Sequence, residues 1–273
     1  YDTIGFAGLA KNVLTVGAVR DAVSNGVRSV ENALVTSFTS WGPADDGRIK
    51  PDVVANGNQL KSTSNTGDDV YSTMSGTSMA SPSAAGTSLL LHRWFAALFT
   101  NQTLRASTMK ALLIHTADDR GTPGPDYQYG WGLINATAAA DLLSDYRAHA
   151  GTRRVIEDLV ATNRPAVSFA FTWDGAAPLR ATLCWSDPAG VPTALHDARA
   201  AALVNNLDLR VIGPSGEGYE PWVMPFVGDW SAASCGFAAT TGSNVTDNVE
   251  QVLIAAPGAA GTYTVRVTYA GAL

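Results

Sequence analysis

The chain has 273 residues, enough for about two domains of ordinary size. Hydrophobic residues make up 46% and charged residues 15%, so the chain can bury a sizeable core and is not a disordered charged tail. The net charge of −6 comes with no basic stripe, which excludes nucleic acid as a natural partner, and no apolar run approaches the length of a membrane span.

Up to about residue 149, strand-like and helix-like segments alternate. Residues 13–19 (VLTVGAV) follow a buried-strand pattern, 37–43 form a Ser/Gly/Pro loop, and 52–55 read as a second short strand. Residues 79–97 are rich in Ala and Leu and predict a buried helix. Pro82 is tolerated only near a helix start, so the helix should begin close to Ser78. Ser107 is the expected cap of a second helix over 108–117, and Asn135 that of a third running to about 150. After Gly151 the period changes to two. Residues 167–173, 179–185, 207–212, 249–255 and 262–269 alternate, separated by Gly, Pro, Asn and Asp, as in an antiparallel β-sandwich or jelly roll. The expected division is an α/β unit over 1–150 and an all-β unit over 151–273, with the boundary near 150–154.

The segment with chemistry is Gly76-Thr77-Ser78-Met79-Ala80-Ser81-Pro82. It follows a loop and opens a helix. A serine there lies among unpaired backbone N–H groups, where the dipole favours negative charge and Ser78 N–H can help hold an oxyanion. Gly76 and Thr77 permit close approach of a substrate backbone. Read on spacing alone, the same pattern also fits an ordinary Ser N-cap after a Gly turn.

This segment resembles the nucleophile motif of the subtilisin-like serine proteases (subtilases). Residues 10–18 (AKNVLTVGA), 37–43 (SFTSWGP), 46–55 (DGRIKPDVVA) and 129–136 (YGWGLINA) are similar to that family in its own order. The resemblance implies that Ser78 is the nucleophile of a secreted peptidase acting on peptide or protein substrates through an acyl-enzyme. It departs at Ser83-Ala84, where the family usually has His-Val, and at Asn56, where it usually has Pro.

A serine hydroxyl needs a base, and the base a carboxylate. The family places both before the serine. No histidine precedes Ser78; His92, His115, His149 and His196 all follow it and read as packing or surface residues. Asp2, Asp21, Asp45, Asp46, Asp52, Asp68 and Asp69 precede it, none in the family's strand-end setting. Asn58 matches the family's oxyanion Asn by letter only, after the wrong strand. The chain begins at Tyr1 without Met, so the expectation is the C-terminal portion of a larger subtilase, inactive alone, whose truncated sheet favours self-association. A non-catalytic binding or structural module on a subtilase scaffold is the alternative, and an associating chain that completes the triad is a third reading. Substrate preference is not readable here.

The second half is similar to the P-domain-like β-barrel of some secreted bacterial subtilases, over 179–187, 203–209, 247–250 and 261–265. The resemblance implies a unit that packs on the catalytic domain. The chemistry itself needs no cofactor. Calcium as a structural ion has hard ligands in Asp187, Asn206, Asp208 and Asp247, which are also ordinary turn and strand-end residues. Cys184 reads as a core residue, and sequence leaves a Cys184–Cys235 disulfide open.

Overall fold

The computed structural model describes residues 1–149, 155–158, 166–225, 231–256 and 258–269. The expected boundary at 150–154 lies outside them. In the first half, β1 (Val16–Val19) is followed by a small hairpin of β2 (Val23–Ser24) and β3 (Val27–Arg28), then β4 (Val53–Asn56). A second hairpin, β5 (Leu60–Thr63) and β6 (Tyr71–Met74), leads into α1 (Thr77–Leu98), α2 (Ala106–His115) and α3 (Ala136–Ala148). Strands β1 and β4 pair in parallel, Val16 beside Val53 and Ala18 beside Ala55. Both are buried along most of their length, which is why they read as continuous apolar runs.

Helix α1 lies across these two strands. Its buried residues are Ala80, Ala84, Leu91 and Phe95, a stripe at helical spacing whose small members let the helix approach the sheet. The helix begins at Thr77, close to the expected start. Helix α2 differs from expectation at its cap. Ser107 lies inside the first turn, and Arg105 is the N-cap without a side-chain bond. The acceptor comes from far along the chain: Glu157 takes Arg105 N–H at 3.0 Å and the Thr108 hydroxyl. A carboxylate is well placed there against the helix dipole. The α3 cap is as read, Asn135 Oδ1 accepting from Ala138 N–H at 3.0 Å.

The second half contains β7 (Ala166–Trp173), β8 (Leu179–Cys184), β9 (Leu207–Ile212), β10 (Gly218–Tyr219), β11 (Trp222–Val223), the one-turn α4 (Ala232–Cys235), β12 (Thr240–Thr241), β13 (Val249–Ile254) and β14 (Gly261–Tyr269). All five long strands were legible from their period. The order β10-β9-β14-β7 forms a four-stranded antiparallel sheet, while β13 pairs with β8 and β11 with β12. Leu209, Val211, Val252, Ile254, Tyr263 and Val267 fill the core between β9, β13 and β14.

The two halves are joined by polar and apolar contacts. Val249, Cys235, Met224 and Ala239 belong to the same buried cluster as Val53, Leu113 and Trp131. The Lys11 ammonium pairs with the Asp187 carboxylate, the two side chains 7% and 0% exposed. Beside them Asn12 Nδ2 donates to Asp187 O, and Asp187 N–H donates to Asn12 Oδ1, each at 2.9 Å. Ile49 N–H reaches Asp247 Oδ1 at 2.9 Å, and Ala202 N–H reaches Asp46 Oδ2 at 3.0 Å.

Candidate active site

The site is built where the end of β4 meets the start of α1. Gly57 follows β4, and its carbonyl accepts Gly76 N–H at 2.8 Å. A Cβ on Gly57 would stand 2.7 Å from both Ala18 Cβ and Gly76 O, so only glycine allows this approach. Ser75, just before the motif, is held on both sides. Its hydroxyl accepts Gln59 N–H at 2.8 Å and donates to Asn58 Oδ1 at 3.4 Å. The β5–β6 hairpin thus returns the chain to the helix start. Sequence reading missed this hairpin, although the Ser, Asn, Gly and Asp residues over 64–69 between its strands are turn signals.

Gly76 is the N-cap and makes no side-chain cap bond. The reading of Ser78 as an ordinary N-cap therefore does not hold, since it occupies the second helical position. The Met79 and Ala80 N–H groups both turn back to Gly76 O, at 3.0 and 3.3 Å. Among the described residues, the Ser78 hydroxyl is exposed and makes no hydrogen bond, and the N–H groups of Thr77 and Ser78 are likewise free. Pro82 has no N–H to give, so the Ser78 carbonyl loses its helical donor as well. The arrangement presents an exposed hydroxyl on a rigid helix with two N–H donors at the positive end of its dipole. Met79 is half-buried behind it. Ser83 bonds back to Met79 O at 2.9 Å and so stays within the helix.

None of the four histidines bonds to Ser78 among the described residues. His92 lies 14 residues along the same helix, about 21 Å away at 1.5 Å per residue. His115 packs on the second half, its Nδ1 3.0 Å from Thr182 Oγ1. Burial, with the Arg180 charge, pushes its pKa down to about 4. His149 sits at the end of α3 beside Asp145, and His196 is exposed in a loop. The carboxylates are engaged elsewhere. Asp46 accepts Arg48 Nε–H on both oxygens at 2.8 Å, besides Ala202 N–H. Asp52 is clasped by Lys50 at 2.6 Å and Lys110 at 2.8 Å; burial works to raise its pKa, but the two ammonium groups outweigh it and hold it low.

The carboxylates of Asp187, Asp208 and Asp247 do not gather into one close acidic group among the described residues. Asp187, besides Lys11, accepts Val204 and Asn205 N–H at 2.9 and 2.8 Å. Asp247 accepts Ile49 N–H at 2.9 Å and Asn244 Nδ2 at 3.0 Å, and Asp208 takes the Ser243 hydroxyl at 3.4 Å. Asn206 Oδ1 is buried without a partner among the described residues, but no acidic group gathers around it. The close acidic group found among the described residues is Asp2, Asp45 and Asp197, two of them exposed and Asp45 half-buried. Cys184 and Cys235 are free thiols, and burial pushes Cys184 up to about 12.

Residues 1–132 match the Subtilase family, and serine proteases are among the relatives. The serine protease AprX of Bacillus subtilis is 35% identical over 147 residues, covering 49% of this chain and 31% of AprX. C5a peptidase of Streptococcus pyogenes is 32% identical over 114 residues, 39% of this chain and 10% of that protein. The structure of the CspB protease of Clostridium perfringens aligns with a TM-score of 0.45 and 28% identity over 53% of this chain and 30% of that one. The chain thus spans under a third of the length of these curated relatives.

Proposed function

We propose that the chain is part of a serine endopeptidase that opens peptide bonds through an acyl-enzyme on Ser78 Oγ. The observation that carries this is the unbonded hydroxyl at the second position of α1, beside two free N–H groups, within the span that matches the Subtilase family. The hydroxyl would attack the scissile carbonyl while Ser78 N–H receives part of the developing oxyanion charge. A base must take the hydroxyl proton, and no described side chain is bonded to do so. The chain alone is therefore expected to be inactive. The same observation favours a non-catalytic scaffold as the second reading.

Hydrolysis of a casein substrate by the protein purified from its source separates the two. Activity that Ser78→Ala abolishes supports the peptidase; a folded protein without Ser78-dependent hydrolysis overturns it.

The all-β half is read as a P-domain-like sandwich that braces the first half, a reading supported by the shared cluster around Val249 and Trp131. A secreted location is proposed with the peptidase role. Self-association is proposed too, supported by Leu89 and Leu90, each 70% exposed on α1. The β1 edge is a weaker candidate surface, because Thr36 and Thr39 already bond Ala18 there.

A further inference from the structure

Glu250, one of five glutamates in the chain, is the second residue of β13 and is fully buried. Its strand pairs with β8, yet its side chain reaches the other sheet. Leu209 N–H on β9 donates to Glu250 Oε2 at 2.5 Å. The need for this bond follows from the topology. Leu209 lies opposite Val267 of β14, and β10 pairs only with Val211 and Ile212. Among the described residues no strand stands on the outer side of Leu209 to take its N–H; a side chain from the facing sheet does. Glu250 Oε1 is closed off from water and has no partner among the described residues.

The charged and titratable groups on the elements around Glu250 are otherwise engaged. On β9, Arg210 donates to Leu209 O at 2.9 Å and pairs with Glu220 at 3.3 Å, and Asp208 takes Ser243. Asp247, ahead of β13, is held by Ile49 and Asn244. On β8, Arg180 donates to His115 O, and Cys184 belongs to the cluster shared with the first half. On β10, Tyr219 faces Glu217. An ionised Glu250 would be an unpaired charge out of water, with Asp208 and Asp247 adding repulsion that Arg210 only partly offsets. Leu209 N–H by itself favours the ionised form, but burial outweighs it; the neutral acid keeps its carbonyl oxygen for Leu209 N–H and sheds the buried charge.

We infer that the Glu250 carboxyl is a pH-sensitive latch between the two sheets of the second half: protonated, it holds β9 to β13, and ionised, it loosens them. Burial pushes its pKa up to about 8 from the ordinary 4.5. The unfolded chain gives up this proton near 4.5 and the folded chain holds it to about 8, so stability falls as pH rises through that window. His115 has the opposite sign, but only between about 4 and 6.5. The interval from 6.5 to 8 therefore reports on Glu250 rather than His115.

Urea unfolding of the whole chain across that interval tests the inference. The folding constant of the wild type is expected to fall about 15-fold across that interval, the slope flattening as pH nears 8. Glu250→Gln, which keeps an acceptor for Leu209 and cannot ionise, is expected to lose that slope. A variant with the wild-type slope overturns the latch. Carbon-13 NMR of the glutamate carboxyls in the wild type decides the matter even if the variant does not fold. One resonance with a midpoint near 8, accompanied by faster exchange of the Leu209 amide above it, supports the latch. Five carboxyls all titrating below 6 overturn it.

Discussion

The joint between the halves makes a quantitative prediction at Asp187. Its carboxylate, fully enclosed, takes the Lys11 ammonium and the N–H groups of Val204 and Asn205. Asp187→Ala removes all three acceptor interactions at once. Losing one partner of a buried ion pair costs about 3–5 kcal/mol, because the remaining charge stays out of water. Each stranded N–H adds about 1–3 kcal/mol where no water reaches it. These terms overlap, and Lys11 keeps a bond to Ala202 O. A net loss of about 4 kcal/mol or more is expected, a large share of the ~5–15 kcal/mol that holds a typical domain together. Urea unfolding read by both circular dichroism and tryptophan fluorescence measures it. Lys11→Met and the double variant complete a cycle whose coupling should exceed about 1 kcal/mol. A loss under about 1 kcal/mol in Asp187→Ala would refute the reasoning that this pair welds the halves.

Gly57→Ala places a methyl 2.7 Å from Gly76 O and Ala18 Cβ, so it should cost about 1–3 kcal/mol, measured by the shift in Tm. Ser78→Ala, by contrast, should leave Tm within about a degree, because the exposed hydroxyl makes no bond, a change within the ±0.5 kcal/mol usual for surface positions. His115 is held neutral to about 4, so the unfolded chain binds more protons between there and 6.5. Acid should therefore destabilise the protein in that window, and His115→Gln should flatten the loss; an unchanged acid profile counts against it. Peroxide should oxidise Met79, half-buried next to Ser78, and lower turnover of the proposed peptidase; full activity with Met79 sulfoxide confirmed by mass spectrometry would contradict this.

What could be read from the sequence was local and periodic. The Gly76–Pro82 motif, the start of α1 and the Asn135 cap all depend on residues within one or two turns of each other. The five long β strands were visible from alternating or continuous apolar residues facing a core; β13 is buried on both faces. The β5–β6 hairpin was not, since Lys61, Ser62, Thr63, Tyr71, Thr73 and Met74 are exposed and show no buried alternation. Long-range polar partners left no mark at all. Glu157 bonds at the start of α2 from 52 residues beyond Arg105, and Asp187 meets Lys11 across 176. Asp187 read as a metal ligand because sequence shows an oxygen donor without showing the ammonium that already occupies it. The resemblance pointed to Ser78, while the residues that shape the approach to its helix, Gly57 and Ser75, emerged only from the geometry.

The central claim is that Ser78 is a nucleophile. Its most direct test is site-resolved mass spectrometry of the protein from its source after reaction with a fluorophosphonate. The account predicts a single adduct on the Ser78 hydroxyl, absent from this chain expressed alone. An adduct on Ser81 or Ser83 instead, or none on a folded and hydrolytically active sample, would contradict it.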